Sequence, residues 1–185
     1  MENNKKDVLV KYRTLYADEI CPDLFSNFTR HQVVTKCWRK ENGKWIIKDA
    51  SFIDDWKEAE YKILVSCLKN TVATGGLVYA AFYNEKLKGF VSVEAGLFGE
   101  EHRYLDLSSI LVSEDMRGMG IGKVLFLEAK RWAKENGAGK LYISAHSAVE
   151  SQAFYKKMGC VEAMLYDQEH VVHSGLILLF LPVNK

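Results

Sequence analysis

A chain of 185 residues, 48% hydrophobic and 26% charged, has room for one globular domain with a substantial core. Its net charge of +1 supplies no basic field for nucleic acid or an anionic membrane, which leaves small-molecule or neutral-surface chemistry. Cys21, Cys37, Cys67 and Cys160 are scattered without Cys-x-x-Cys spacing, so they read as reduced, buried thiols of a cytoplasmic protein, not as a zinc site or a disulfide framework.

Met1 to Asp7 is polar and lacks the apolar centre of a signal peptide, and residues up to about 10 read as a solvated tail. A short helix is expected from about Ile20 to Arg30, with Pro22 near its start and Leu24, Phe25 and Phe28 on one side. Strands follow at Gln32 to Lys40 and Trp45 to Lys48, joined through Glu41-Asn42-Gly43-Lys44, where Asn-Gly suits a tight hairpin turn. Trp38 and Trp45 flank that turn, as a cross-strand packing pair or as pocket lining. Ile53 to Lys69 is expected to be an amphipathic helix, with Asp54 and Asp55 at its positive end.

After Gly75-Gly76, apolar strands are expected at Leu77 to Tyr83 and Leu87 to Ala95, with a loop over Gly96 to Arg103. Tyr104 to Val112 reads as one strand that places Asp106, Ser108, Ile110 and Val112 on a common face. It feeds Arg117-Gly118-Met119-Gly120-Ile121-Gly122, in which alternate glycines let backbone N–H groups converge on one small volume. A helix from Gly120 to Asn136 adds its unpaired first-turn N–H groups and its dipole, which makes a receptor for a pyrophosphate or similar anion. Lys140 to Ser144 is a strand, Val149 to Met158 a short helix, and Cys160 to Tyr166 and Leu176 to Val183 two closing strands. The last of these is too short to span a bilayer and contains Pro182. Hairpins followed by a strand–helix–strand unit imply an α/β (α+β) domain with a mixed sheet over residues 1–185.

Two motifs together resemble the GNAT superfamily of acyl-coenzyme A N-acetyltransferases. The first is the Arg-x-x-Gly-x-Gly segment Arg117 to Gly122 at a strand–helix junction; the second is Phe154-Tyr155-Lys156-Lys157-Met158-Gly159 at the end of a helix before a strand. The resemblance covers about Trp45 to the C-terminus and implies a mostly antiparallel sheet with splayed central strands flanked by helices. Residues 1–44 lie outside that common core, as an N-terminal helix–hairpin embellishment expected to cover the acceptor site or to form a homodimer contact.

The resemblance also implies acetyl-coenzyme A as donor. Backbone groups of Ile110, Leu111 and Val112 would pair with its pantetheine arm, and N–H groups from Arg117, Gly118, Met119, Gly120, Ile121, Gly122 and Lys123 would hold the pyrophosphate. Where many family members carry a cofactor-binding Asn, this chain has Ala148, with Ser147 and Ser151 as substitutes.

Acetyl transfer to an amine needs a neutral nitrogen, and amines of pKa about 10 are mostly protonated at neutral pH. A carboxylate acting through water meets that need, with Asp106 the first candidate and Glu94 the second; the alternative for each, more so for Glu94, is a solvated or salt-bridged strand carboxylate. A backbone N–H near Leu111 or Val112 would stabilise the oxyanion. Tyr155 matches the family's general acid for the departing thiolate; its structural alternative is a core tyrosine with a satisfied hydroxyl. No metal is expected, since His170 and His173 have no third ligand near in sequence. His146, ending a strand near the expected thioester, reads as structural. The expectation is an N-acetyltransferase acting on a primary amine of a small molecule. Against it stand a protein acceptor, or a non-catalytic coenzyme A-binding sensor or docking module on the same fold.

Overall fold

A computed structural model describes residues 9–99, 103–163 and 176–183. Among these residues the β-structure comprises two four-stranded sheets and a two-stranded hairpin. The first sheet has the order β1-β4-β5-β7, formed by Lys11–Thr14, Leu77–Tyr83, Lys86–Val93 and Ser109–Val112, with every pairing antiparallel. The second has the order β6-β8-β10-β9, formed by Tyr104–Asp106, Lys140–His146, Leu176–Pro182 and Val161–Glu162. Here β6 and β8 run parallel, and β10 pairs antiparallel with β8 and β9. The hairpin consists of β2 (His31–Glu41) and β3 (Lys44–Asp55).

Helix α1 (Glu58–Ala73) buries Leu64, Val65, Leu68 and Thr71 at helical spacing against Val78, Phe82, Leu87 and Phe90 on one face of the first sheet. Phe25 and Phe28 fill the same core, Phe25 from a single 3-10 turn at Pro22–Phe25 in place of the longer helix expected there. Helix α2 (Ile121–Glu135) buries Ile121, Leu125, Phe126, Ala129 and Ala133 in a second core, against Val91, Leu105, Leu141 and Ile143. Helix α3 (Val149–Lys157) packs beside α2, with the Phe126 and Phe154 rings edge-on at 5.9 Å.

The structure corrects several sequence expectations around the hairpin. The second hairpin strand does not stop at Lys48 but runs to Asp55, because its pairing with β2 continues out to His31 opposite Asp55. The helix expected from Ile53 therefore starts at Glu58, where the Glu60 carboxylate accepts the Lys57 N–H at 2.8 Å. Asp54 and Asp55 do not serve its N-terminus: Asp54 pairs with Arg30, and Asp55 with His31 and Lys57. The hairpin consequently extends beyond residue 44. Trp45 lies opposite Lys40, and Trp38 opposite Ile47, so the two indoles are diagonal and not directly paired.

The expected single strand from Tyr104 to Val112 is two strands in different sheets. Ser109 stands opposite Ser92, yet the Glu94 N–H bonds the Asp106 carbonyl at 2.9 Å. Two residues of travel on one chain thus match three on the other, which is a β-bulge, and the Ser108 N–H donates to Ser92 O at its centre. Past the bulge the chain leaves β8 and joins β5. The strand expected at Cys160 to Tyr166 is described only to Glu162, since residues 164–175 lie outside the described residues, as do His170 and His173. Among the described residues no helix is long and apolar enough to cross a membrane.

Gly76, between α1 and β4, is a close-approach site. A Cβ there would stand 2.5 Å from Val93 O and 2.8 Å from Thr71 O, both backbone atoms with no rotamer to relax into. Gly76→Ala is expected to lower stability by about 1–3 kcal/mol, read as a lower urea midpoint at unchanged m-value.

Candidate active site

The bulge opens a cleft. Pairing of β6 with β8 ends where the Leu107 N–H bonds Tyr142 O at 2.9 Å, and beyond it β7 pairs only with β5. The Ser113 N–H points to Lys88 O at 2.9 Å, so by alternation the peptide groups of Ile110 and Val112 face away from β5. They line the open edge, whereas Leu111 turns its peptide groups toward β5 and its side chain into the α1 core. A cavity of about 920 Å³ occupies the gap, with Ile110 and Val112 on one wall and Ile143, Ser144 and His146 on the other.

At the end of β7 the chain makes a 3-10 turn at Glu114–Met116 and enters the glycine loop. Gly118 and Gly120 hold φ of +78° and +82°, a region costly for residues with a Cβ. This curls the backbone so that the N–H groups of Gly118, Met119, Gly120, Ile121 and Gly122 have no acceptor among the described residues. The N–H groups at the two ends are already engaged, Arg117 with Glu114 O at 3.3 Å and Lys123 with Gly120 O at 3.1 Å. Arg117, Gly118, Gly120, Ile121, Gly122 and Lys123 all line the cavity; Met119 sits exposed outside it. A concave row of free donors at a helix N-terminus suits a diphosphate.

The loop is anchored from below. Buried Lys88 donates to Asp115 at 2.6 Å and to Asn27 O at 2.8 Å, Ser113 Oγ donates to Asp115 at 2.6 Å, and the Thr29 N–H donates to Ser113 Oγ at 3.0 Å. The same cluster fixes the start of β2, which then crosses the open end of the cleft. By Cys37 and Trp38 it has reached the other wall, where the Trp38 N–H donates to Ser147 O at 2.8 Å and Cys37 bridges Ala148. Arg30, His31, Gln32 and Val33 of this crossing, together with Trp56, line the cavity. Trp38 and Trp45 do not; the Trp45 Nε1–H donates to Glu162 at 2.8 Å.

Tyr155 on α3 is half-buried and lines the cavity, with its ring against Phe126 and Phe154. Its hydroxyl makes no hydrogen bond among the described residues. Burial, with the nearby Cys160 adding to it, pushes the phenol well above its ordinary pKa, so the hydroxyl stays protonated at neutral pH. Burial likewise pushes the Cys160 thiol up to about 12, which leaves it inert as a nucleophile. His146 accepts the Ala148 N–H on Nδ1 at 3.0 Å, and burial lowers its pKa. It is therefore a neutral imidazole with its one lone pair taken, which removes it as a base.

The two candidate carboxylates are placed differently. Asp106 is half-buried opposite Tyr142 and does not line the cavity. Glu94 is also outside the lining but accepts the hydroxyl of Ser108, which is part of it. Ser151 lines the cavity from the first turns of α3. Ser147 does not: it is buried under the hairpin, with its hydroxyl accepting Arg39 Nη1 at 2.7 Å. The sequence reading missed the β2 crossing and Ser108. No local pattern marks the crossing, since its anchor joins Thr29 to Ser113 across 84 residues. Among the described residues no three His, Cys, Asp or Glu side chains gather as a metal-binding group.

A family model described as the acetyltransferase (GNAT) family matches residues 30–160. A search of curated proteins returns no match. Among solved structures, nourseothricin acetyltransferase aligns over 94% of this chain and 98% of its own, at 18% identity and a TM-score of 0.69. A putative streptothricin acetyltransferase from Bacillus anthracis str. Ames, in complex with acetyl coenzyme A, aligns over the same shares at 19% identity and a TM-score of 0.69. The ribosomal-protein-S18-alanine N-acetyltransferase from Escherichia coli aligns over 95% of this chain and 94% of its own, at 16% identity and a TM-score of 0.60. At these identities the likeness is one of fold.

Proposed function

Because the chain belongs to the GNAT acetyltransferase family, we propose that it is a cytoplasmic N-acetyltransferase that moves the acetyl group of acetyl-coenzyme A to a primary amine of a small molecule. The supporting observation is one continuous path: N–H groups at Gly118–Gly122 without an acceptor among the described residues, then the open edge at Val112 and Ile110, then the Tyr155 hydroxyl, likewise without a partner among them. The loop would hold the diphosphate, and the strand edge would pair with the pantetheine amides as a neighbouring strand would. Acetyl-coenzyme A supplies an activated thioester carbonyl.

Direct attack by a neutral amine is then assisted at three points. A carboxylate of the Glu94–Asp106 neighbourhood takes the amine proton. An outward N–H of Ile110 or Val112 donates to the developing oxyanion. Tyr155 returns a proton to the departing thiolate, a role that its raised pKa suits because the hydroxyl arrives protonated. The small-molecule class is supported by the two structural neighbours named nourseothricin acetyltransferase and streptothricin acetyltransferase.

Incubation with acetyl-coenzyme A and a panel of small amines and peptides, following free thiol release, tests this reading. Turnover with a small amine is the expected result. Turnover with peptides alone overturns the small-molecule class, and tight coenzyme A binding without turnover across the panel indicates a binding module. Failure to bind coenzyme A sinks both.

A further inference from the structure

We propose that Ser108 is a catalytic residue, passing the proton of the acceptor's ammonium to Glu94, which it touches and the acceptor does not. This rests on the N-acetyltransferase reading and assigns a residue and a route to the base.

The bulge sets the geometry. It expels Ser108 from the regular pleat, and the side chain is exposed into the cavity. Its Oγ donates to Glu94 Oε1 at 2.7 Å and lies 2.8 Å from Ser92 Oγ. Since the single Ser108 hydrogen goes to the carboxylate, buried Ser92 must be the donor in the second contact. Ser108 Oγ therefore gives one hydrogen bond and receives one, and a second lone pair remains on a residue that is exposed and lines the cavity. That lone pair can accept from an ammonium N–H.

Glu94 is held to receive. Buried Thr71 on α1 donates to the same Oε1 at 2.8 Å, and the Glu94 N–H is fixed on Asp106 O at 2.9 Å. The Glu94 carboxylate itself is half-exposed, so a proton delivered to it can leave to solvent. Its hydrogen-bonding neighbours Thr71 and Ser108, and Ser92 behind Ser108, are uncharged hydroxyls, and its N–H meets Asp106 through that residue's carbonyl. Farther round the cavity His146 is neutral with its lone pair used, and Tyr155 is protonated, so neither competes for the proton.

The step balances. The ammonium N–H bond breaks as its proton bonds Ser108 Oγ, while the Ser108 O–H bond breaks as that proton bonds a Glu94 oxygen. Products are the neutral amine, an unchanged serine hydroxyl and a protonated Glu94. The amine lone pair is then free for the thioester carbonyl.

The test compares Ser108→Ala, Ser108→Thr and Glu94→Gln with the wild type, using the amine from the panel that supports turnover, across pH 6 to about 10. Ser108→Ala is expected to lower kcat/KM about 10²-fold at neutral pH. The deficit should shrink as pH approaches the amine's own pKa, because the acceptor then arrives without the proton. Glu94→Gln should show the same profile, Ser108→Thr should keep most of the activity, and the acetyl-coenzyme A Kd should not change. A Ser108→Ala profile superimposable on wild type, or a deficit constant across pH, overturns the relay while leaving the acetyltransferase intact. Absence of turnover by the wild type, with acetyl-coenzyme A bound, overturns the acetyltransferase reading and the relay together.

Discussion

Tyr155→Phe is expected to reduce kcat by about 10²- to 10³-fold while leaving the acetyl-coenzyme A Kd within a factor of about two. Phenylalanine keeps the ring that packs at 6.2 Å from Phe126 and 5.3 Å from Phe154. The hydroxyl it removes is bonded to nothing among the described residues, so no hydrogen bond within them is lost. What disappears is a proton donor for the leaving thiolate. The pH dependence follows from the direction of the shift. A phenol whose pKa is raised above its ordinary value of about 10 stays protonated throughout the neutral range, so the loss should be uniform between about pH 6 and 9. Pre-steady-state thiol release together with calorimetric binding of acetyl-coenzyme A checks both halves. An unchanged kcat would assign the proton to water.

Phe126→Ala is expected to produce the largest loss of stability, about 3–5 kcal/mol. Its ring is 1% exposed and joins α2 to α3 through edge-on contacts with Phe154 and Tyr155. Truncation leaves a cavity that two helices must collapse into, and the melting temperature should fall by roughly 6–20 °C. Because Tyr155 loses one of its two ring neighbours among the described residues, kcat should also fall when assayed well below the melting transition. Phe126→Leu, which refills most of the volume, should recover much of both. A thermal melt with activity measured at 15–20 °C below each variant's midpoint separates the two effects.

The glycine loop was legible because its determinants are local. Positive φ at Gly118 and Gly120 is a property of single residues, and the helix after them shows its period in Ile121, Leu125 and Ala129. The hairpin was less legible for the opposite reason. Asp54 and Asp55 carry the charge pattern of a helix start, but a partner strand reaching back to His31 claims them instead. The bulge is a single extra residue within Tyr104 to Val112, and a sequence cannot show an extra residue without its partner strand. Strict alternation therefore placed Asp106 and Ser108 on one face, whereas Ser108 reaches the cavity and Asp106 does not. Ser147 shows the same limit: beside an absent Asn it suits a cofactor contact, and only the folded hairpin brings Arg39 across to occupy its hydroxyl.

The strand order β6-β8-β10-β9 has a consequence for how the molecule is assembled. Among the described residues β9 pairs only with β10, and β8 reaches β9 through it. The half of the structure that forms one wall of the cleft therefore stays incomplete until residues 176–182 arrive and insert between two strands already made. The strands of the first sheet are all present by Val112, and α1 can cover one face early, while the other face waits for α2. Such pairing between distant segments carries a loop-closure cost and is slow. Until it is complete, the Leu141, Tyr142 and Ile143 edge of β8 is an open, apolar strand, a surface exposed to misassembly during folding.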